Sequence, residues 1–278
     1  MGTAGIVAGL ACGVAAAACY ELGYVGQAGD ARSFRDAKGE RPWLLPVLAR
    51  RRAWLGGTAL VACGLVLQLL ALHLAPLSVV QPALVLGLGL LVVLAERRLG
   101  ERPGRRGRLA VAAAAGGVLL IALGGEGGTT GTSGHPATVL AGFGAIVVLA
   151  LVVAHAGHRP LVLILAAGLG EAWAVIAAKV ALTDLSDGTL VSAAVWGVAA
   201  AVAGLLALNA EMSGLQRVAA TVAGPLVLVA QAAIPVLLAP SAVGERWASL
   251  PAVLVGLAFV VAAAVVLGSA RVAQATTA

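Results

Sequence analysis

Long apolar runs separated by short polar connections dominate this chain. Nine runs approach the roughly 20 apolar residues that a helix needs to cross a bilayer. They lie at about 4–28, 53–74, 77–95, 108–124, 137–154, 161–182, 189–209, 214–238 and 250–268. In lipid every backbone polar group must be satisfied within its own segment, so such runs predict helices. Only Ala75-Pro76 links the second run to the third, which predicts an antiparallel hairpin. The run 108–124 is the shortest. The longest polar stretch is 29–52, whose Trp43–Leu48 piece is too short to cross and predicts an interfacial or re-entrant turn with Trp43 at headgroup depth. The Gly- and Thr-rich stretch 124–134 predicts a flexible outer loop.

Composition agrees with this pattern. Hydrophobic residues make up 61% of the 278 positions and charged residues 11%, with mean hydropathy +1.02. A water-soluble globule of this length would have too few polar side chains to cover its surface, and a disordered chain is excluded on the same ground. The 37 glycines follow no triplet repeat, which excludes a collagen-like chain. The net charge of +6 would raise nucleic acid as a partner in a soluble protein, but here the bases sit between apolar runs and speak to orientation instead. Seven Lys and Arg fall in 29–52 and six in 96–108, while 75–76, 125–136 and 183–188 contain none. This alternation predicts an inner-membrane protein with its N-terminus outside and its C-terminus in the cytoplasm. The first helix lacks the basic leading segment of a signal peptide. Cys12, Cys19 and Cys63 all lie in apolar runs without CxxC spacing, so neither a disulfide framework nor a zinc site is expected.

Two stretches resemble each other. Ser78-Val79-Val80-Gln81-Pro82 leads into an apolar run ending Gly100-Glu101-Arg102, and Thr221-Val222-Ala223-Gly224-Pro225 leads into one ending Gly244-Glu245-Arg246. Trp54 and Trp196 stand early in the preceding helices of the two copies. The first Gly-Glu-Arg falls on the cytoplasmic side and the second outside, so the copies are inverted, as in many secondary transporters. The helix from Trp54 through Gly64 and Gln68, the run Ala75–Pro82 and the two Gly-Glu-Arg ends resemble the drug/metabolite transporter superfamily (EamA-like), and Ala75–Pro82 also looks like the branch of proposed magnesium transporters. The resemblance implies an all-α polytopic membrane protein of about nine transmembrane helices in two inverted-topology repeats, one helix short of the family's ten, with 29–52 in the place of the missing helix. The first repeat would be 1–124, the outer loop 125–136 and the second repeat 137–278. The helices 53–74, 77–95, 189–209 and 214–238 would line a cavity, and 108–124 and 250–268 would lie outside and support a homodimer.

Ionisable groups inside a bilayer are costly and few, so each is a candidate. Glu171 is the deepest, about ten residues from both ends of its run; it reads as a proton- or cation-coupled carboxylate, or as a structural partner of another polar group. Lys179 lies two turns further on and either snorkels to the outer interface or binds an anionic substrate. Glu21 sits near Tyr20, Tyr24 and Gln27, as a cavity carboxylate or an interfacial one. Glu96 reads as a solvated partner of Arg97 and Arg98, and Glu101 and Glu245 as helix-end punctuation. Gln68, Ser78, Gln81, Thr221 and Gln231 are uncharged polar groups on the repeat helices; Pro82 and Pro225 would free the carbonyls of Ser78 and Thr221 for a ligand, or merely kink their helices. Gly5, Gly9 and Gly13 allow close helix approach, and His155 with His158 reads as an interfacial pair rather than a metal site. No nucleotide-binding, hydrolase or redox motif is visible, so no enzyme, cofactor or metal is expected. The function predicted is secondary active transport of small organic metabolites, drugs or lipid-like solutes by alternating access, with proton coupling through Glu171 or Glu21. The alternatives are a divalent-cation carrier of the magnesium type and a non-transporting membrane scaffold.

Overall fold

The computed structural model describes residues 3–34, 44–74, 77–125, 136–157, 159–242 and 247–275. Within them the chain is all-helical, with no strand. The helices are α1 (Thr3–Arg32), α2 (Leu45–Leu48), α3 (Arg52–Leu74), α4 (Leu77–Leu99), α5 (Arg105–Gly125), α6 (Pro136–Gly157), α7 (Pro160–Ser186), α8 (Leu190–Leu215), α9 (Ala220–Ala242) and α10 (Leu250–Ala275). Two of them stop at glycines with left-handed backbone: Gly100 (φ 68°) follows α4 and Gly188 (φ 78°) follows α7.

Burial runs opposite to that of a soluble protein. Val191, Val195, Val198, Val202 and Leu205 recur every three to four residues along α8 and face outward, Val191 being 81% exposed. Ile146, Leu149 and Val153 do the same on α6. The buried polar residues, by contrast, include Gln27, Asn209, Glu211, Ser213, Gln216 and Thr221. Apolar outside and polar within is what hydrocarbon solvent demands. Among the described residues five segments are long and apolar enough to cross a membrane: Val7–Arg32, Thr138–Gly157, Pro160–Ala178, Leu190–Leu215 and Leu250–Leu267. The expectation of nine spans is therefore met in part. α5 illustrates why a long helix can fall short, since three of its first four residues are arginines.

α1 packs along α3 and α4, α7 along α8 and α9, and α5 along α10; α6 leans on α7. Small residues set these contacts. A Cβ placed on Gly23 would lie 2.6 Å from the Gly57 carbonyl oxygen, and one on Gly117 2.7 Å from that of Gly256. Gly9 and Gly13 are buried, and Gly5 approaches the Leu74 carbonyl, so the ladder on α1 packs inside the bundle. Long neighbours alternate in direction: the end of α4 meets the start of α9 through Glu101, the end of α8 meets the start of α7 where Gly214 abuts the Pro160 carbonyl, and Ser249 before α10 donates to Gly124 of α5. One end of the bundle thereby collects Arg32, Arg50–Arg52, the arginines of 97–108, Arg159 and Arg217. The other end carries Asp184 and Asp187.

α2 is a single turn at the basic end. Leu44 and Leu48 are fully buried against Trp54, Ile164, Met212 and Leu215, and Asn209 accepts a hydrogen bond from the Leu45 backbone N–H. Trp43, the link 75–76, most of the outer loop, His158 and Gly244-Glu245-Arg246 lie outside the described residues.

The apolar pattern places the end of one helix at 209 and the start of the next at 214, with Ala210–Ser213 as a connection, and the structure differs. α8 runs unbroken to Leu215, and the turn falls at 216–219 instead. Asn209 and Glu211 look like loop residues by polarity, yet they are helical and buried, because neighbouring helices rather than water surround them.

Candidate functional site

The polar centre of the bundle is an acid cluster contributed by α1, α7 and α8. Glu171 stands eleven residues into α7, and Glu211 four residues before the end of α8. The contacts of Gly214 with Ile164 and of Gly170 with Ala207 set the register of these antiparallel helices. By that register the two backbones are offset by about five residues, roughly 7.5 Å along the axis. Helical side chains lean toward their own N-terminus, so in an antiparallel pair these two lean toward each other. Their carboxyl groups meet within hydrogen-bonding reach.

α1 closes the third side. The Tyr24 hydroxyl approaches the Glu211 carboxyl but is buried without a well-formed hydrogen bond. Glu21 and Glu171 also lie near enough for their charges to be felt at Tyr24. Room for these side chains comes from glycines on α4 and α9. The Glu21 carboxylate would lie 3.1 Å from a Cβ on Gly87, and the Tyr24 ring 3.2 Å from one on Gly224. One turn above Tyr24, the Tyr20 hydroxyl donates to the Gln68 side-chain oxygen at 2.7 Å; one turn below, Gln27 donates to the Thr58 hydroxyl at 3.0 Å. A polar track thus follows one face of α1.

A second polar assembly lies at the basic end. Glu101, just past Gly100, reaches across to the start of α9. It accepts hydrogen bonds from the Ala220 N–H (2.7 Å), the Thr221 N–H (2.9 Å) and the Thr221 hydroxyl (2.6 Å), and it pairs with Arg32 of α1. Arg32 also donates to the Val218 carbonyl at 3.3 Å. A helix N-terminus presents unpaired N–H groups and a partial positive charge, so it suits a carboxylate. Burial acts to raise the proton affinity of Glu101, but the Thr221 hydrogen bonds and the Arg32 charge outweigh it and hold the carboxyl below its ordinary value. Glu101 thus does more than punctuate a helix end.

The predicted residues distribute as follows. Glu21 and Glu171 come to the acid cluster, and Gln68 joins the adjoining track. Thr221 belongs to the Glu101 assembly. Pro225, buried, is the sixth residue of α9, and Pro82 the sixth of α4; both helices continue through their prolines. Because α4 and α9 run oppositely, the stretches around Ser78 and Thr221 lie at opposite ends of the bundle, about 30 Å apart, and are not brought together. Gln231 is half-buried midway along α9. The side chains of Ser78, Gln81, Pro82 and Lys179 lie outside the described residues. His155 accepts or donates across to Asn209 at 3.2 Å. Glu211 was missed altogether, although an unpaired acid in an apolar stretch with its nearest base at Arg217 was a usable signal. Among the described residues no group of three or more His, Cys, Asp or Glu is placed to hold a metal ion.

No model of a known protein family matches the chain, and comparison with curated proteins and with solved structures returns no match either.

Proposed function

We propose that this chain is a proton-coupled secondary transporter of small organic metabolites, drugs or lipid-like solutes, an EamA-like member of the drug/metabolite transporter superfamily working by alternating access. The observation that carries the reading is the acid pair of buried Glu211 and partly buried Glu171, faced by Tyr24 and neighboured by Glu21. Two carboxyl groups in contact in a low-dielectric interior hold a proton between them, and they release it when water or a ligand reaches them. Such a group inside an apolar bundle has little structural purpose, since an apolar pair would pack there without a desolvation cost.

The arrangement of helices supports the inverted-repeat part of the proposal. α1–α3–α4 and α7–α8–α9 pack in the same pattern, α4 and α9 both carry proline at their sixth residue, and Gln68 and Glu211 stand 143 positions apart, matching the offset of the prolines. In this reading α1 takes the role of α7 and α6 is the helix without a counterpart among the described residues, so 29–52 does not stand in for a missing helix between α1 and α3 as the sequence resemblance implies. The two halves would rock around the acid cluster, with the basic end in the cytoplasm.

Proteoliposomes holding a pH-sensitive dye test the reading. Solutes from several organic classes are added under an imposed pH gradient. At least one is expected to drive proton movement with the wild-type protein, and Glu211→Gln and Glu171→Gln are each expected to remove that movement while the protein stays folded. Gradient-driven flux that survives in both variants would exclude the acid pair as the coupling site. Absence of flux for every class would favour a scaffold.

A further inference from the structure

We infer that the junction of Glu101, Arg32 and the start of α9 is the cytoplasmic gate of this protein, a contact that must break before the acid cluster can open to that side. The inference rests on the transport reading above and goes beyond it by naming the barrier.

Position is the first argument. The junction joins the ends of α1, α4 and α9, and these helices also border the acid cluster. Arg32 lies two turns beyond Tyr24 on α1, about 12 Å of rise. Thr221 lies three residues before Gly224, against which the Tyr24 ring packs. Between junction and cluster, Ala28 and Ala31 on α1 and Ala223 on α9 are fully buried, so this route is shut.

The second argument is the kind of contact. The two halves of the chain also meet through α5 and α10, where backbones touch at Gly117 and Gly256 and Ser249 donates to Gly124, and, beside the junction, through the apolar cluster that packs Leu44, Leu48 and Trp54 against Ile164, Met212 and Leu215. Apart from the Ser249–Gly124 backbone bond, the α5–α10 seam is apolar and close-packed. The junction is different. It holds α9 to the first half with one carboxylate that accepts three hydrogen bonds and one ion pair. Every one of these partners can be replaced by water at the membrane surface. A contact with a good hydrated alternative can have two states of similar free energy, as a gate requires. The α5–α10 seam would serve as the fixed side of the motion.

The test uses full-length protein in inside-out vesicles, with Cys12, Cys19 and Cys63 replaced by alanine. A reporter cysteine is placed at Ala28, one turn inside Arg32, and a control at Ala263 on α10; both positions are buried, at 0% and 2% exposure. A membrane-impermeant maleimide is applied from the cytoplasmic side. Glu101→Gln is expected to raise the labelling rate at position 28 by about tenfold, since it removes hydrogen bonds to a charged group, and to leave position 263 unchanged. Arg32→Gln should act in the same direction and serves if Glu101→Gln folds poorly. A rise of less than about threefold at position 28 in both variants, or a parallel rise at position 263, overturns the inference, the latter because it marks general loosening. Labelling needs neither solute nor gradient, so it reads the gate independently of whether the flux assay finds a substrate.

Discussion

Glu101 shows how one residue changes meaning between sequence and structure. In the sequence it stands among arginines at a helix end and reads as helix-end punctuation. In the fold its carboxylate is nearly buried, 8% exposed, and caps a helix from the other half of the chain. The sequence contains no sign of this, because the partner N–H groups belong to residues 119 and 120 positions away. The consequence for pH is calculable in sign. The folded protein holds Glu101 below its ordinary value of 4.5, so ionisation stabilises the fold above about pH 4.5, and that stabilisation is lost as pH falls through the lower folded value. Thermal unfolding in detergent between pH 7 and pH 3 should therefore show wild type above Glu101→Gln at neutral pH, with the gap closing below about pH 4.5. A gap of constant size across that range would show that the carboxylate's charge contributes nothing. Glu21 and Glu171 were legible because they interrupt apolar runs. Glu211 obeyed the same rule but adjoined Asn209 and Ser213, and three polar residues in five positions look like a loop when burial is unknown.

At the scale of helices, the apolar pattern located every long element and erred mainly at ends. α1 extends to Arg32 and α4 to Leu99, each about one turn past the expected end, because basic residues continue a helix at the membrane surface without penalty. The pattern could not say which faces meet, since a helix that is apolar all round has no core-facing stripe to read. Small residues decide that instead. Gly117 faces Gly256, while its neighbour Gly116 faces open space. Gly117→Ala should destabilise the protein by about 1–3 kcal/mol through overpacking against backbone. Gly116→Ala should be neutral or stabilising by about 0.5–1 kcal/mol from helix propensity. Unfolding midpoints of the two variants in one detergent compare them directly, and equal effects would show that the α5–α10 contact is looser than described.

For the whole molecule the decisive feature is the separation of charge between its two ends. The turn at Arg217, the ends of α1 and α4 and the start of α7 carry the bases, and the last turn of α7 and its link to α8 carry Asp184 and Asp187, with the Asp184 carboxylate accepting from the Ser192 hydroxyl at 2.5 Å. The proposed orientation places the bases in the cytoplasm. In right-side-out vesicles of a cysteine-free background, Asp187→Cys should react with an impermeant maleimide and Arg217→Cys should not; the reverse result would invert the topology. The general class, an all-helical chain of apolar helices suited to a membrane, was legible from composition alone, because hydrocarbon imposes a stricter rule on side chains than water does. The meeting of the acids was not legible, because it depends on the register between α7 and α8.

Glu211 lies one turn from the basic end of α8, and Glu171 stands about 16 Å from the same end of α7. In the proposed arrangement the acid pair thus lies nearer the basic face of the bilayer than the opposite one. In a carrier built this way, a proton arriving from the far side crosses most of the membrane voltage before it binds, and one leaving on the near side crosses little. The electrical work of the cycle is concentrated in one half-reaction, so membrane potential would bias how often the pair is loaded far more than how fast it empties.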